Sequence, residues 1–169
     1  MGQKADKLRH AMAEECGCAI CEARLRGLTV KQALAERARW EQEQMRNHGW
    51  FIDLVSGDDE TGELADAHTH GLPQSFGHSD LQLVLPLPLT SRTVGRILTN
   101  LVNLIKSGTK LEAGSKYSEV IENYQVLMLE AVEGGRPVLR VILPDKYGCL
   151  DRDQIRHPFQ QQWPGDEQS

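Results

Sequence analysis

"NYQVLMLEAVEGGRPVLRVILPD", residues 123–145, is two apolar runs hinged on a pair of glycines. Gly134 and Gly135 supply the positive φ angles of a tight hairpin, so residues 123–132 and 137–143 are expected to pair as antiparallel strands. Both runs are apolar on both faces apart from Glu130 and Arg140, which puts them inside a sheet rather than at its rim. Upstream, "LTSRTVGRILTNLVNLIKSG" spans residues 89–108. Its apolar residues Val94, Ile97, Leu98, Leu101, Leu104 and Ile105 recur at helical spacing, with Thr90 or Ser91 as cap and Gly108 as stop. A helix with one such stripe lies on a sheet.

Working toward the N-terminus, "DLQLVLPLP" (residues 80–88) reads as a strand with Leu81, Leu83, Leu85 and Leu87 on one face, ended or confined to an edge by Pro86 and Pro88. Residues 65–72 extend weakly as another strand, and "WFIDLV" (50–55) as a third, separated by the acidic loop 56–63. A helix is expected over residues 30–46. Thr29 and Gln32 have capping-box spacing, Val30, Leu34, Ala38, Glu41 or Gln42 and Met45 mark a narrow stripe, and Gly49 is a left-handed stop. This helix is mostly solvated and packs by one edge. Helix, strands, helix, strands with no βαβ series indicates a single α+β domain. Its antiparallel or mixed β-sheet carries one long helix on a face and the N-terminal helix at the edge. Residues 1–28 form a Cys-containing extension, 29–150 the domain, and 151–169 a polar, flexible tail.

The chain has 169 residues, 40% apolar and 25% charged, which suits one globular domain. No apolar run reaches the 18 to 20 residues of a membrane-spanning helix, and the charged N-terminus is no signal peptide, so a cytoplasmic address is expected and a membrane is not. The net charge of −5 is concentrated after residue 48, where ten Lys/Arg face seventeen Asp/Glu; such a surface excludes nucleic acid as partner. A nucleophile elbow, a phosphate-binding loop and a dinucleotide fingerprint are all missing from the sequence.

The run "NHGW…VSGDD…AHTHGLPQSFGHSDLQLVLPL", followed by a helix ending "KSG", then "LEAG" and "RPVLRVILPDKYG", resembles the bacterial domain-of-unknown-function family 4262. That family repeats, in this order, a His-Gly-Trp-like segment, a Y/H-T-x-G-L strand and a G-H-P-D/E-L turn. Here Ser79 stands in place of the usual proline, and "HTHGL" is a variant with two histidines. The resemblance spans about residues 47–148, and the C-x-x-C of Cys18 and Cys21 also occurs in many relatives. It supports the fold and implies no established activity.

Three of the six histidines fall in "ADAHTHGLPQSFGHSD", residues 65–80. His68 and His70, two apart on a strand, share a face and stand about 6–7 Å apart at the backbone, close enough to converge on one ion. The turn at residues 71–77 is expected to return His78 as a third ligand, with Asp66 or Asp80 beside it. Three protein ligands with an open position describe a hydrolytic site for a divalent metal such as zinc. The competing reading makes His68 and His70 half-exposed strand residues bonded to backbone, and His78 the cap of the turn. His48, at a helix C-terminus, is satisfied by the helix dipole and stands as a distant contributor. Cys16, Cys18 and Cys21 in "CGCAIC" are either thiolates for zinc, completed by Cys149, His10 or a partner chain, or a reducible thiol cluster.

Two functions follow. The first is a ligand- or partner-binding accessory module for a small molecule or protein, with His48, His68, His70, His78 and Asp80 as contacts. The alternative is a small metal-dependent, hydrolase-like enzyme built on His68, His70 and His78.

Overall fold

The computed structural model describes residue 23 and residues 25–56, 64–85 and 89–165. Cys16, Cys18 and Cys21, most of the acidic loop, Leu87 with its flanking prolines, and the last four residues lie outside the described residues. Helix α1 (Val30–His48) leads into strands β1 (Phe51–Ser56) and β2 (Leu64–His70). A single helical turn, α2 (Leu72–Phe76), precedes β3 (Asp80–Val84), and α3 (Ser91–Lys106) precedes β4 (Lys116–Ile121), β5 (Tyr124–Glu133) and β6 (Arg136–Ile142). The six strands form one mixed sheet in the order β1-β2-β3-β6-β5-β4. Two antiparallel meanders, β1-β2-β3 and β4-β5-β6, meet at the parallel pair β3–β6. The domain is α+β.

The hairpin forms as its glycines require: Gly134 and Gly135 have φ of 54° and 80°, and Glu133 pairs with Arg136. Helix α3 buries Val94, Ile97, Leu98, Leu101, Val102 and Ile105, each worth roughly 1.5–3 kcal/mol of transfer free energy. They rest on Ile52 and Leu54 of β1, Ala67 of β2, Leu81 and Leu83 of β3, and Val126, Met128, Leu139 and Val141 of the later strands. Thr90 caps the helix by accepting from the Thr93 N–H. Among the described residues no helix is long and apolar enough to cross a membrane.

Three expectations are corrected. The α1 capping box and the Gly49 stop are present, but the inward face is not the stripe that starts at Val30. Val30 and Leu34 are 68% and 56% exposed, whereas Ala33 is buried and Arg37 and Trp40 turn toward β1. Arg37 goes with this rotation. Its guanidinium bonds Asp53 and Glu41 and lies 4.8 Å above the Trp40 ring, which ties this face of the helix to β1.

The segment from Asp151 is not a loose tail as far as Gly165. Ile155 and Trp163 bury themselves with Leu150 against Ile142, Leu127 and Leu129, on the sheet face opposite α3. Gln162 is fully buried, and its side chain accepts from Leu143 N–H and donates to the Leu143 carbonyl like an extra strand residue. Three apolar side chains spaced through a polar, Gln-rich stretch give no periodic signal, which is why composition alone read it as solvated. Lastly, the polar connection before the hairpin holds β4, and the Gly-bounded turn after β2 holds α2.

Candidate metal centre

Strand alternation sorts the side chains. Because Ile52, Leu54, Ala67, Leu81 and Leu83 face α3, their neighbours Asp53, Asp66, His68, His70 and Gln82 project from the other face. Register then lines up a polar row across four strands: Asp53 opposes His68, His68 opposes Gln82, and Gln82 opposes Arg140. Helix α1 flanks one end of this row through Arg37, and the C-terminal segment covers the other.

The end of β2 is held by two glycines. Gly49 and Gly71, with φ of 77° and 100°, approach so closely that a Cβ on Gly71 would lie 2.6 Å from the Gly49 carbonyl oxygen and from Met45 Sδ. Ser75 Oγ donates to that same carbonyl at 2.6 Å. This clasp fixes the backbone on both sides of Phe51 and His70, whose rings stack with centroids 4.9 Å apart.

Asp53, His68 and His70 each offer one donor atom, and the three atoms lie within 4.8 Å of one another. Asp53 Oδ2 is 3.9 Å from Nε2 of both histidines. A tetrahedral zinc ion with bonds of 2.0–2.1 Å needs donors roughly 3.3 Å apart, so closing the set takes side-chain rotations that draw Asp53 toward each histidine by about 0.6 Å and the two histidines, within 4.8 Å of each other, together by up to about 1.5 Å. His68 is buried, while the side chains of Asp53 and His70 are 34% and 35% exposed, so the cluster opens to solvent on one side. The outer shell is in place: His68 Nδ1 hydrogen-bonds Asp66 Oδ1 at 2.7 Å, which directs Nε2 toward the cluster. Glu133 Oε1 lies 3.9 Å from that Nε2, and Arg136 holds Glu133 from the far side.

The two histidines are tuned in opposite directions. Burial disfavours protonation of His68, but the Asp66 hydrogen bond and the charges of Asp66, Glu133 and Asp53 outweigh it and raise its pKa. His70 is lowered, first by burial and then by repulsion from Arg136 and His68, against partial support from Asp53 and Asp80. A proton entering the pair goes to His68.

His78 does not join them. Its Nδ1 pairs with the Ser79 carbonyl at 2.8 Å, and its Nε2 accepts from the Leu111 N–H at 3.1 Å, so both nitrogens are spent on backbone. The ring ties the start of β3 to the loop before β4. Asp80 is likewise spent: it accepts from Thr69 Oγ1, from the Leu72 N–H at the start of α2, and from Arg136. His48 is exposed at the end of α1. Asp53 is the site residue that sequence reading missed. Its signal was an acid in the strand "FIDLV", out of phase with the apolar residues on either side.

Residues 44–152 match a family described as a domain of unknown function, DUF4262. The chain belongs to this family. Asp53, His68, His70 and Glu133 all lie within the DUF4262 domain, and so do His78, Asp80 and Arg140, whereas Gln162 and Trp163 lie beyond it. No curated protein and no solved structure matches the chain.

Proposed function

We propose that Asp53, His68 and His70 bind one divalent metal ion of zinc type, and that the protein is a small metal-dependent, hydrolase-like enzyme. The observation that carries this reading is the convergence of the three donors from two paired strands within 4.8 Å, with His68 already oriented by Asp66. Three protein ligands leave coordination positions for water and substrate, the pattern of catalytic rather than structural zinc sites. Exposure of Asp53 and His70 gives a substrate access to the ion. His78 drops out of the ligand set, and Asp53 replaces it.

The test is a Zn2+ or Mn2+ titration of chelator-treated protein by calorimetry, followed by hydrolysis assays on ester and phosphoester panels with the bound metal. One ion per chain, lost in Asp53→Ala and His70→Ala, is the expected result. Metal that survives both substitutions and disappears in Cys18→Ser would place the ion at the N-terminal cysteines instead. A folded protein that takes up no metal would return the binding-module reading.

A further inference from the structure

We infer that the tautomer of His68, on β2, is set from β6, two strands away along the same sheet face, by a directional hydrogen-bond relay, Arg140 to Gln82 to Asp66 to His68, making Arg140, Gln82 and Asp66 positioning residues. Its effect on metal binding rests on the function proposed above; the relay itself does not.

The direction follows from what each group is able to do. Arg140 is a donor only, and its Nε and Nη2 both give to Gln82 Oε1, at 3.0 and 2.7 Å. The Gln82 amide therefore presents its oxygen to Arg140 and its NH2 to Asp66, where Nε2 donates to Oδ2. Asp66 is an acceptor only. Its other oxygen faces His68 Nδ1, so Nδ1 carries the proton and, in the singly protonated ring, Nε2 keeps its lone pair for the cluster. Arg140 and Gln82 are buried, so water offers them little alternative to this order. The Arg140 end is anchored by the Gln162 carbonyl, from the C-terminal segment outside the family domain.

A buried polar row that merely satisfied its own hydrogen bonds would show the same distances. What separates the two is the response to reversing one link. In Asp66→Asn, Gln82 still offers NH2, so the oxygen of the introduced amide must turn to meet it and the amide NH2 must face His68. Nδ1 is then forced to accept, and the proton moves to Nε2. Adding Gln82→Glu reverses a second link: the new carboxylate keeps Arg140 paired and accepts from the introduced amide's NH2, which returns that amide's oxygen to Nδ1.

The experiment reads imidazole 15N shifts of His68 in metal-free protein at alkaline pH, alongside Zn2+ affinity by chelator competition. Wild type is expected as the Nδ1–H tautomer, Asp66→Asn as Nε2–H with affinity about 10- to 100-fold weaker, and Asp66→Asn/Gln82→Glu as Nδ1–H with affinity recovered. The double variant guards against a folding defect, since lost structure would not be restored by a second polar substitution. Nδ1–H retained in Asp66→Asn, or no reversal in the double variant, would overturn the relay. Tautomers that switch as described in a protein that takes up no Zn2+ would uphold the relay and sink the metal reading. Zn2+ uptake with an unmoved tautomer would do the opposite.

Discussion

Asp53 on β1 and His68 on β2 are register partners, and Oδ2 of the first lies 3.9 Å from Nε2 of the second. Removing that carboxylate takes away the oxygen that Nε2 of both histidines faces. Asp53→Ala is expected to weaken Zn2+ binding by about 100-fold or more, measured by competition with a chromophoric chelator. His78→Gln should leave the affinity unchanged and instead lower unfolding stability by about 1–3 kcal/mol, because the Leu111 N–H loses its buried acceptor. A His78 variant that lost metal would contradict the ligand set.

In metal-free buffer the elevated pKa of His68 makes its contribution to stability depend on pH. The folded value lies above the ordinary 6.5, so the stabilisation from its acidic neighbours is fully present below about pH 6.5 and is lost as the pH rises through the folded value. The Tm difference between wild type and His68→Gln should therefore be larger at pH 5.5 than at pH 9, in the presence of chelator. The opposite slope would mean that burial, not the carboxylates, controls this ring.

Trp163 carries the docking of the C-terminal segment on β5 and β6. Trp163→Ala should cost about 3 kcal/mol, or ~10 °C in Tm for a domain of this size, followed by thermal circular dichroism. An unchanged midpoint would mean that residues 151–165 contribute no packing.

At Gly71 both the positive φ and the space forbid a side chain. Gly71→Ala should cost about 3 kcal/mol by chemical denaturation, since the added methyl would meet the Gly49 carbonyl and Met45 in the clasp beside His70. Gly134→Ala is the control. Its φ is also positive, but among the described residues nothing lies within 4 Å, so only the backbone penalty of about 1 kcal/mol applies.

The α+β class, the hairpin and α3 were legible because each is written in local sequence: paired glycines, a cap and an apolar stripe. The pairing of His68 with His70 was legible too, since alternation along one strand needs no tertiary information. Asp53 was not, because it reaches those rings through cross-strand register, and nothing near "FIDLV" says which strand lies opposite. His78 misled for the converse reason: its partner Leu111 lies beyond α3, and no local pattern announces a side chain spent on so distant a backbone group. Trp163 and Ile155 were hidden by their setting, since isolated apolar residues in a Gln-rich stretch show their purpose only when the underside of the sheet is seen.

The parallel join of β3 to β6 governs how the chain can assemble on a ribosome. When β3 emerges, its inner edge is unpaired, and the strand that covers it comes roughly fifty residues later, ~3–10 s at 5–20 residues per second. Through that interval Leu81 and Leu83 have only the first meander and the emerging α3 for company, an open strand edge of the kind that pairs with other chains. Pulse-labelled nascent chains stalled between α3 and β6 should bind holdase chaperones, and chains stalled after the C-terminal segment has cleared the tunnel should not.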